Sequence, residues 1–157
     1  MKLLNFKKLI APLLFVLILC SFNSCCTNRG CFGADDMNQI YFYGFTPQEV
    51  DTIVIKRFDR NSSFKTVLDS VQAFSMPAEA GSSFQIILID DQDKLHIDFD
   101  YKIEIPASGK TFTISDFVIR KERCNTGFLC NDFYNDLNSY KLNGKVTATS
   151  GILEIHK

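Results

Sequence analysis

The sequence predicts an all-β fold: a single antiparallel β-sandwich, immunoglobulin-like in a loose sense, with seven to eight strands. In its most regular stretch apolar and polar residues alternate with a period of two, the pattern of a half-buried strand. Other short runs are rich in β-branched and aromatic residues and are separated by turn residues. The 157 residues include 15 phenylalanines but no tryptophan, so the core tryptophan of antibody domains is absent.

The most regular strand is predicted at residues 95–105, where six apolar residues alternate with five polar ones. The turn-forming residues 106–109 follow it, and residues 111–115 begin a returning strand that residues 117–121 continue. Because a strand, a short turn and a second strand occur in direct succession, the sequence predicts a β-hairpin here.

Earlier strands are predicted at residues 39–45, 51–58 and 84–89. The first run is aromatic on both faces, the second is rich in β-branched residues, and the third is apolar except for Gln85, like a central strand. Residues 64–72 fit two interpretations. Their apolar side chains recur at the spacing of a helix stripe, whereas their β-branched residues and the neighbouring Ser and Asn residues favour a strand. We favour a short strand followed by a loop, and the helix stays open as the alternative.

The C-terminal region contains the strongest hairpin signal of the chain. Asn143 and Gly144 separate two strand-like runs, residues 139–142 and 145–148, and both residue types accept the positive φ of a type I′ turn. Gly151 is predicted to mark a β-bulge before a last strand closes the sheet.

The N-terminal residues predict a secretory leader. Three lysines precede an apolar run of residues 9–19, and this run is shorter than the roughly 20 residues that span a bilayer. The run leads to Ser24 and Cys25. We therefore divide the chain into a signal peptide (1–24), an N-terminal linker (25–38) and the β-sandwich domain (39–157).

The small residue Ser24 directly before Cys25 resembles the signal of bacterial lipoproteins, in the looser form typical of Bacteroidetes. This resemblance implies that the leader is cut before Cys25, that its sulfur is diacylated and that its new α-amino group is acylated. More than one acyl chain gives stable anchoring. The mature protein is thus expected to be anchored by lipid to the outer membrane of the cell envelope, on its periplasmic or surface face.

Charge and cysteine content agree with export. Residues 1–24 hold three of the 17 basic residues and none of the 18 acidic ones, so 14 basic groups remain against 18 acidic groups. Because the mature chain is mildly acidic, nucleic acid is not an expected partner. With Cys20 removed in the leader and Cys25 acylated, four cysteines are left to form disulfides. We favour the pairs Cys124–Cys130 and Cys26–Cys31, and the alternative joins the early pair to the late pair.

Two further resemblances point to the same class of bacteria. Residues 45–58, 100–106 and 111–114 look like parts of small uncharacterised Bacteroidetes lipoproteins, a family that implies no activity. Asp-Thr-Ile and Asp-Ser-Val resemble the acceptor of protein O-glycosylation in these bacteria, which makes Thr52 and Ser70 candidate acceptors.

No residue pattern predicts catalysis, a metal site or a cofactor, because the histidines, serines and cysteines lack the required spacing. Two function classes remain. The first is a lipid-anchored binding or structural module that contacts an envelope protein, peptide or glycan, with Tyr41 and Tyr43 in the aromatic patch 41–45 as the binding surface. The alternative is an enzyme, or an enzyme accessory, that acts on extracellular glycan through the acidic side chains Asp98, Asp100 and Glu104.

Overall fold

A computed structural model describes residues 33–76, 82–124, 132–149 and 151–157. The chain divides into two compact units: Met1–Cys31 with Glu122–Tyr134, and Phe32–Lys121 with Asn135–Lys157. The described elements are a 3₁₀ turn (Ala34–Asp36) and the strands β1 (Gln39–Tyr43), β2 (Thr52–Asp59), β3 (Val67–Ser75), β4 (Phe84–Leu88), β5 (Phe99–Ile105), β6 (Lys110–Arg123), β7 (Phe133–Leu142), β8 (Lys145–Ala148) and β9 (Leu153–His156).

The predicted all-β class is confirmed, but the described strands are arranged differently from the prediction. Nine strands form one sheet in the order β8-β7-β6-β5-β2-β3-β4-β1-β9, whereas a sandwich would need two stacked sheets of seven to eight strands in total. The sheet is mixed, because β9 pairs in parallel with β1 while β1 and β4 pair antiparallel. The expected antiparallel sandwich is therefore corrected to a single mixed sheet.

A short connection explains how one sheet encloses a core. The strands β8 and β9 lie at opposite edges of the sheet, yet only residues 149–152 join them. The five steps from Ala148 to Leu153 reach at most about 18 Å, whereas the edges of a flat nine-stranded sheet would be roughly 38 Å apart. The sheet of the larger unit therefore curls into a half-barrel. The side chains of its inner face pack against one another and form the core.

The strand predicted at residues 95–105 is shorter in the structure, because β5 begins at Phe99. Residues 96–99 form a turn instead, in which the Phe99 N–H donates to the His96 carbonyl. The Tyr101 hydroxyl stabilises this turn by accepting from the His96 N–H (2.7 Å) and donating to its carbonyl (3.0 Å). From Tyr101 onward, inward residues alternate with outward residues as predicted.

Residues 64–72 resolve into a turn followed by a strand, so the strand is confirmed over the helix, while residues 77–81 of the predicted loop lie outside the described residues. Ser63 and Phe64 have positive φ, and β3 follows from Val67. The helix spacing had no structural meaning here, because most β3 side chains are exposed on either face of the strand.

The C-terminal hairpin is confirmed. Asn143 and Gly144 have φ values of 51° and 78°, and Leu142 pairs with Lys145 across the turn. The Asn143 N–H also donates to the Thr113 carbonyl, and the Asn143 Oδ1 accepts from the Thr113 N–H, each at 2.8 Å. These two hydrogen bonds link the turn to β6.

The bulge predicted at Gly151 was wrong. Gly151 lies outside β9, in the connection from β8, with φ +85°. A Cβ atom at this position would lie 2.9 Å from Asp136 Oδ1, so both the backbone conformation and the close approach favour glycine.

Of the smaller unit, the structure describes only residues 122–124 and 132–134. Here the Cys124 N–H donates to the Asp132 carbonyl at 2.9 Å, and the Arg123 guanidinium lies 5.8 Å from the Phe133 ring centroid.

The proposed leader lies outside the described residues, as do three of the disulfide candidates and the lipidation site, so their chemistry stays a prediction. The residues concerned are Cys25, Cys26, Cys31 and Cys130. No helix among the described residues is long and apolar enough to cross a membrane.

Candidate binding surface

The aromatic patch predicted at residues 41–45 is divided between the two faces of the sheet. Phe42 and Phe45 point into the core, where they are 0% and 5% exposed. Tyr41 and Tyr43 alternate with Phe42 along β1 and are half-buried on the opposite, outer face. The sequence therefore identified the two tyrosines that are available for contact, but grouped them with two core residues.

On the outer face these tyrosines join two aromatic residues that sequence analysis did not select. Phe84 lies between them, with ring centroids 5.3 Å from Tyr41 and 5.5 Å from Tyr43. His156 stacks on Tyr43 at 4.7 Å with 10° between the ring planes. The strand register creates this cluster, because Tyr43 is paired with Phe84 on one side and with His156 on the other. No signal in the sequence alone specified these pairings.

Aliphatic and aromatic residues of β3 and β4 extend the cluster. Ile86 is paired with Tyr41, and Leu88 is paired with Gln39 on one side and with Phe74 on the other. Phe74 and Leu88 are among the exposed large hydrophobic residues of the protein, at 59% and 39% exposed. We call this surface the outer aromatic face and define it by seven residues: Tyr41, Tyr43, Phe74, Phe84, Ile86, Leu88 and His156.

The size of the outer aromatic face follows from sheet geometry. It covers four neighbouring strands about 4.8 Å apart and three rows of side chains about 7 Å apart. With the width of the side chains included, it measures about 20 by 20 Å, or roughly 400 Å². The largest apolar patch of a typical monomeric protein measures roughly 300 to 600 Å² and is often functional, so the outer aromatic face falls in this range.

Polar groups at the edge of this face are few and carry little positive charge. Gln39 Oε1 accepts from the Tyr41 hydroxyl at 3.1 Å, and Glu154 lies 3.6 Å from His156 Nε2. Partial burial, followed by the negative charge of Glu154, raises the pKa of Tyr43, so its phenol stays a neutral hydrogen-bond donor. The defined face contains no lysine or arginine, which makes it a surface for apolar contact rather than for binding anions.

Two contacts hold the strand at the edge of this surface in place. The Tyr140 hydroxyl donates to the Glu154 carbonyl (2.6 Å) and accepts from the Glu154 N–H (2.8 Å). The terminal Lys157 pairs with Glu49 at 2.7 Å. Hydrogen bonds from the Lys157 ammonium and the Thr46 N–H lower the pKa of Glu49 to about 2. β9 is thereby fixed beside β1, and His156 is kept against Tyr43.

The candidate O-glycosylation residues both lie in strands. Thr52 is half-buried at the start of β2, where it is paired with Phe74 of the outer aromatic face. Ser70 is exposed on β3 and is paired with Lys56. Their modification stays a prediction.

The acidic residues considered for glycan cleavage are held in separate interactions. Asp100 is 4% exposed and accepts from the Asn61 N–H at 3.0 Å, and its burial raises the pKa of the carboxyl. Glu104 forms an ion pair with Lys56 at 2.6 Å, while Asp98 lies in the exposed turn before β5. Among the described residues there is also no group of three metal-ligating side chains.

The fold and the site were compared with known proteins. No protein-family model, no curated protein and no solved structure matches this chain.

Proposed function

We propose that this chain is a lipid-anchored protein of the outer membrane whose β-domain is a binding module, with the outer aromatic face as its contact surface. The anchor is Cys25, exposed by cleavage of the leader 1–24. The remaining cysteines form disulfides in the oxidising envelope. The proposal is supported at its N-terminus by the basic, apolar and Ser24-Cys25 pattern of the sequence.

The observation that carries the binding role is the concentration of apolar side chains on the solvent side of the sheet. Six of the seven residues of the outer aromatic face are tyrosine, phenylalanine, isoleucine or leucine, and two of these six, Phe74 and Leu88, are more than a third exposed. Contact surfaces are enriched in tyrosine and phenylalanine and depleted in lysine. The core needs none of these side chains, because a separate set of inward residues fills the inner face.

In-cell photo-crosslinking tests the contact role. The photoreactive amino acid p-benzoylphenylalanine replaces Ile86, at the centre of the face, or Thr111, an exposed residue of β6 that is four strands away from β4 in the sheet order. We expect an adduct to a protein or to lipid at position 86 and a much weaker one at position 111. Equal labelling at both positions, or none at position 86, would refute the contact role.

A further inference from the structure

We propose that the outer aromatic face lies against the lipid bilayer that anchors the protein. This inference rests on the proposed function, since it identifies what the contact surface touches. It follows from the length of the tether, the position where the tether joins the domain and the chemistry of the face.

The tether is short. Nine residues lead from Cys25 to Ala34 along the sequence, and they can span no more than about 30 Å. Ala34 is fully buried, and Met37 is also buried and forms a β-bridge with Leu95, so the domain holds the chain from this point onward. A lipid on Cys25 therefore keeps Ala34, the point where the chain enters the domain, within about 30 Å of the bilayer.

The chain joins the domain at the more exposed end of the face. β1 begins at Gln39, which is paired with Leu88, and Leu88 is in turn paired with Phe74. These two apolar side chains thus lie in the row where β1 starts, while Tyr43 and His156 lie at the end of the strand. The chain that leads from the anchor thus enters β1 in the same row as the most accessible apolar side chains of the face.

The composition of the face fits a bilayer interface. Tyrosine rings, apolar with one polar atom, are enriched at the headgroup level of membranes, where Tyr41 and Tyr43 would lie. Phe74, Leu88 and Ile86 supply the apolar area that enters the acyl boundary. Since the face has no lysine or arginine, its contact does not depend on anionic lipid.

The size of the face favours this partner over another protein. Its footprint of roughly 400 Å² is small for a stable protein interface, in which each partner buries roughly 800 Å² of accessible surface. A contact with the bilayer can be weak and still persist, because the lipid anchor keeps the domain beside the membrane. The anchor makes the contact an intramolecular event with a high effective concentration.

The absence of tryptophan from the chain allows a direct test. The variants Phe74→Trp, Phe84→Trp and Thr111→Trp each contain a single tryptophan, in the face or, for the matched control, on β6. The full lipidated proteins are placed in phosphatidylcholine vesicles with or without brominated acyl chains, which quench tryptophan on contact. Circular dichroism checks that each variant keeps its sheet.

We expect strong quenching and a blue-shifted emission for Phe74→Trp and Phe84→Trp but not for Thr111→Trp, with no change when anionic lipid is added. Adding Phe74→Ser to the Phe84→Trp protein removes buried apolar area and should shift the equilibrium away from the membrane about tenfold. Quenching of Phe84→Trp should fall accordingly.

Three outcomes overturn the inference: no quenching in the face, equal quenching at position 111, or sedimentation that shows a dimer closed through the face. If position 86 instead crosslinks to one protein of defined mass, the bilayer contact is refuted and the contact role of the face stands. If the face is neither quenched nor crosslinked, both proposals fail.

Discussion

Removing a single hydroxyl group from Tyr140 should destabilise the protein by about 2 kcal/mol. β9 has one neighbouring strand in the sheet order, and the Tyr140 hydroxyl bonds both the N–H and the carbonyl of Glu154. The Tyr140→Phe substitution keeps the ring but leaves both backbone groups without this partner.

The magnitude follows from the burial of the site. Tyr140 is 1% exposed, and a buried polar group that loses its partner costs about 1 to 3 kcal/mol. The surroundings of the two hydrogen bonds are only partly buried, so water can compensate for some of the loss. We therefore take the lower end for each of the two groups, a total of about 2 kcal/mol, which is about a thirtyfold change in the unfolding equilibrium constant.

Urea unfolding and amide hydrogen exchange measure the effect. We expect a lower midpoint with an unchanged slope, and faster exchange of the Glu154 amide. Tyr41→Phe is the matched control, since its hydroxyl makes one exposed hydrogen bond to Gln39 and its loss should cost less than about 0.5 kcal/mol. Equal stability of wild type and Tyr140→Phe, with unchanged exchange at Glu154, would refute this account of the edge.

Three other predictions concern separate parts of the chain. Gly151→Ala should lower the free energy of unfolding by at least about 1 kcal/mol, because φ is positive and the new Cβ approaches Asp136; thermal unfolding measures this, and an unchanged midpoint would contradict it. Burial raises the pKa of Tyr101 and of Tyr140 from 10.0 to about 12. The free energy that the two neutral phenols contribute to stability is therefore complete below pH 10 and is lost as the pH rises towards about 12. Urea unfolding at several pH values across this window measures the loss, and a free energy of unfolding that does not change with pH would count against it. Intact-mass spectrometry of the membrane fraction should give a chain that begins at an acylated Cys25, while an uncleaved leader or an unmodified thiol would disprove the anchor.

Local sequence patterns predicted those features that depend on neighbouring residues. Alternation with a period of two identified Tyr101, Ile103 and Ile105 as inward residues, because successive side chains of a strand point to opposite faces. Asn143 and Gly144 specified their hairpin, since few other residues adopt positive φ at both turn positions.

The prediction failed where the outcome depended on contacts between distant parts of the chain. Alternation shows that one face of a strand is buried, but not whether a second sheet or the curvature of the same sheet covers it. The short connection 149–152 decided for curvature, because it joins the two edges of the sheet.

The candidate surface shows the same division. The sequence by itself selected two tyrosines of β1 as contact residues, and it contains an N-terminal run that resembles a lipoprotein signal. Only the tertiary structure decided that Phe84 and His156, 41 and 113 residues beyond Tyr43 in the chain, lie beside it. The physical reason is that strand register is fixed by pairing across the whole sheet, which no local pattern of residues encodes.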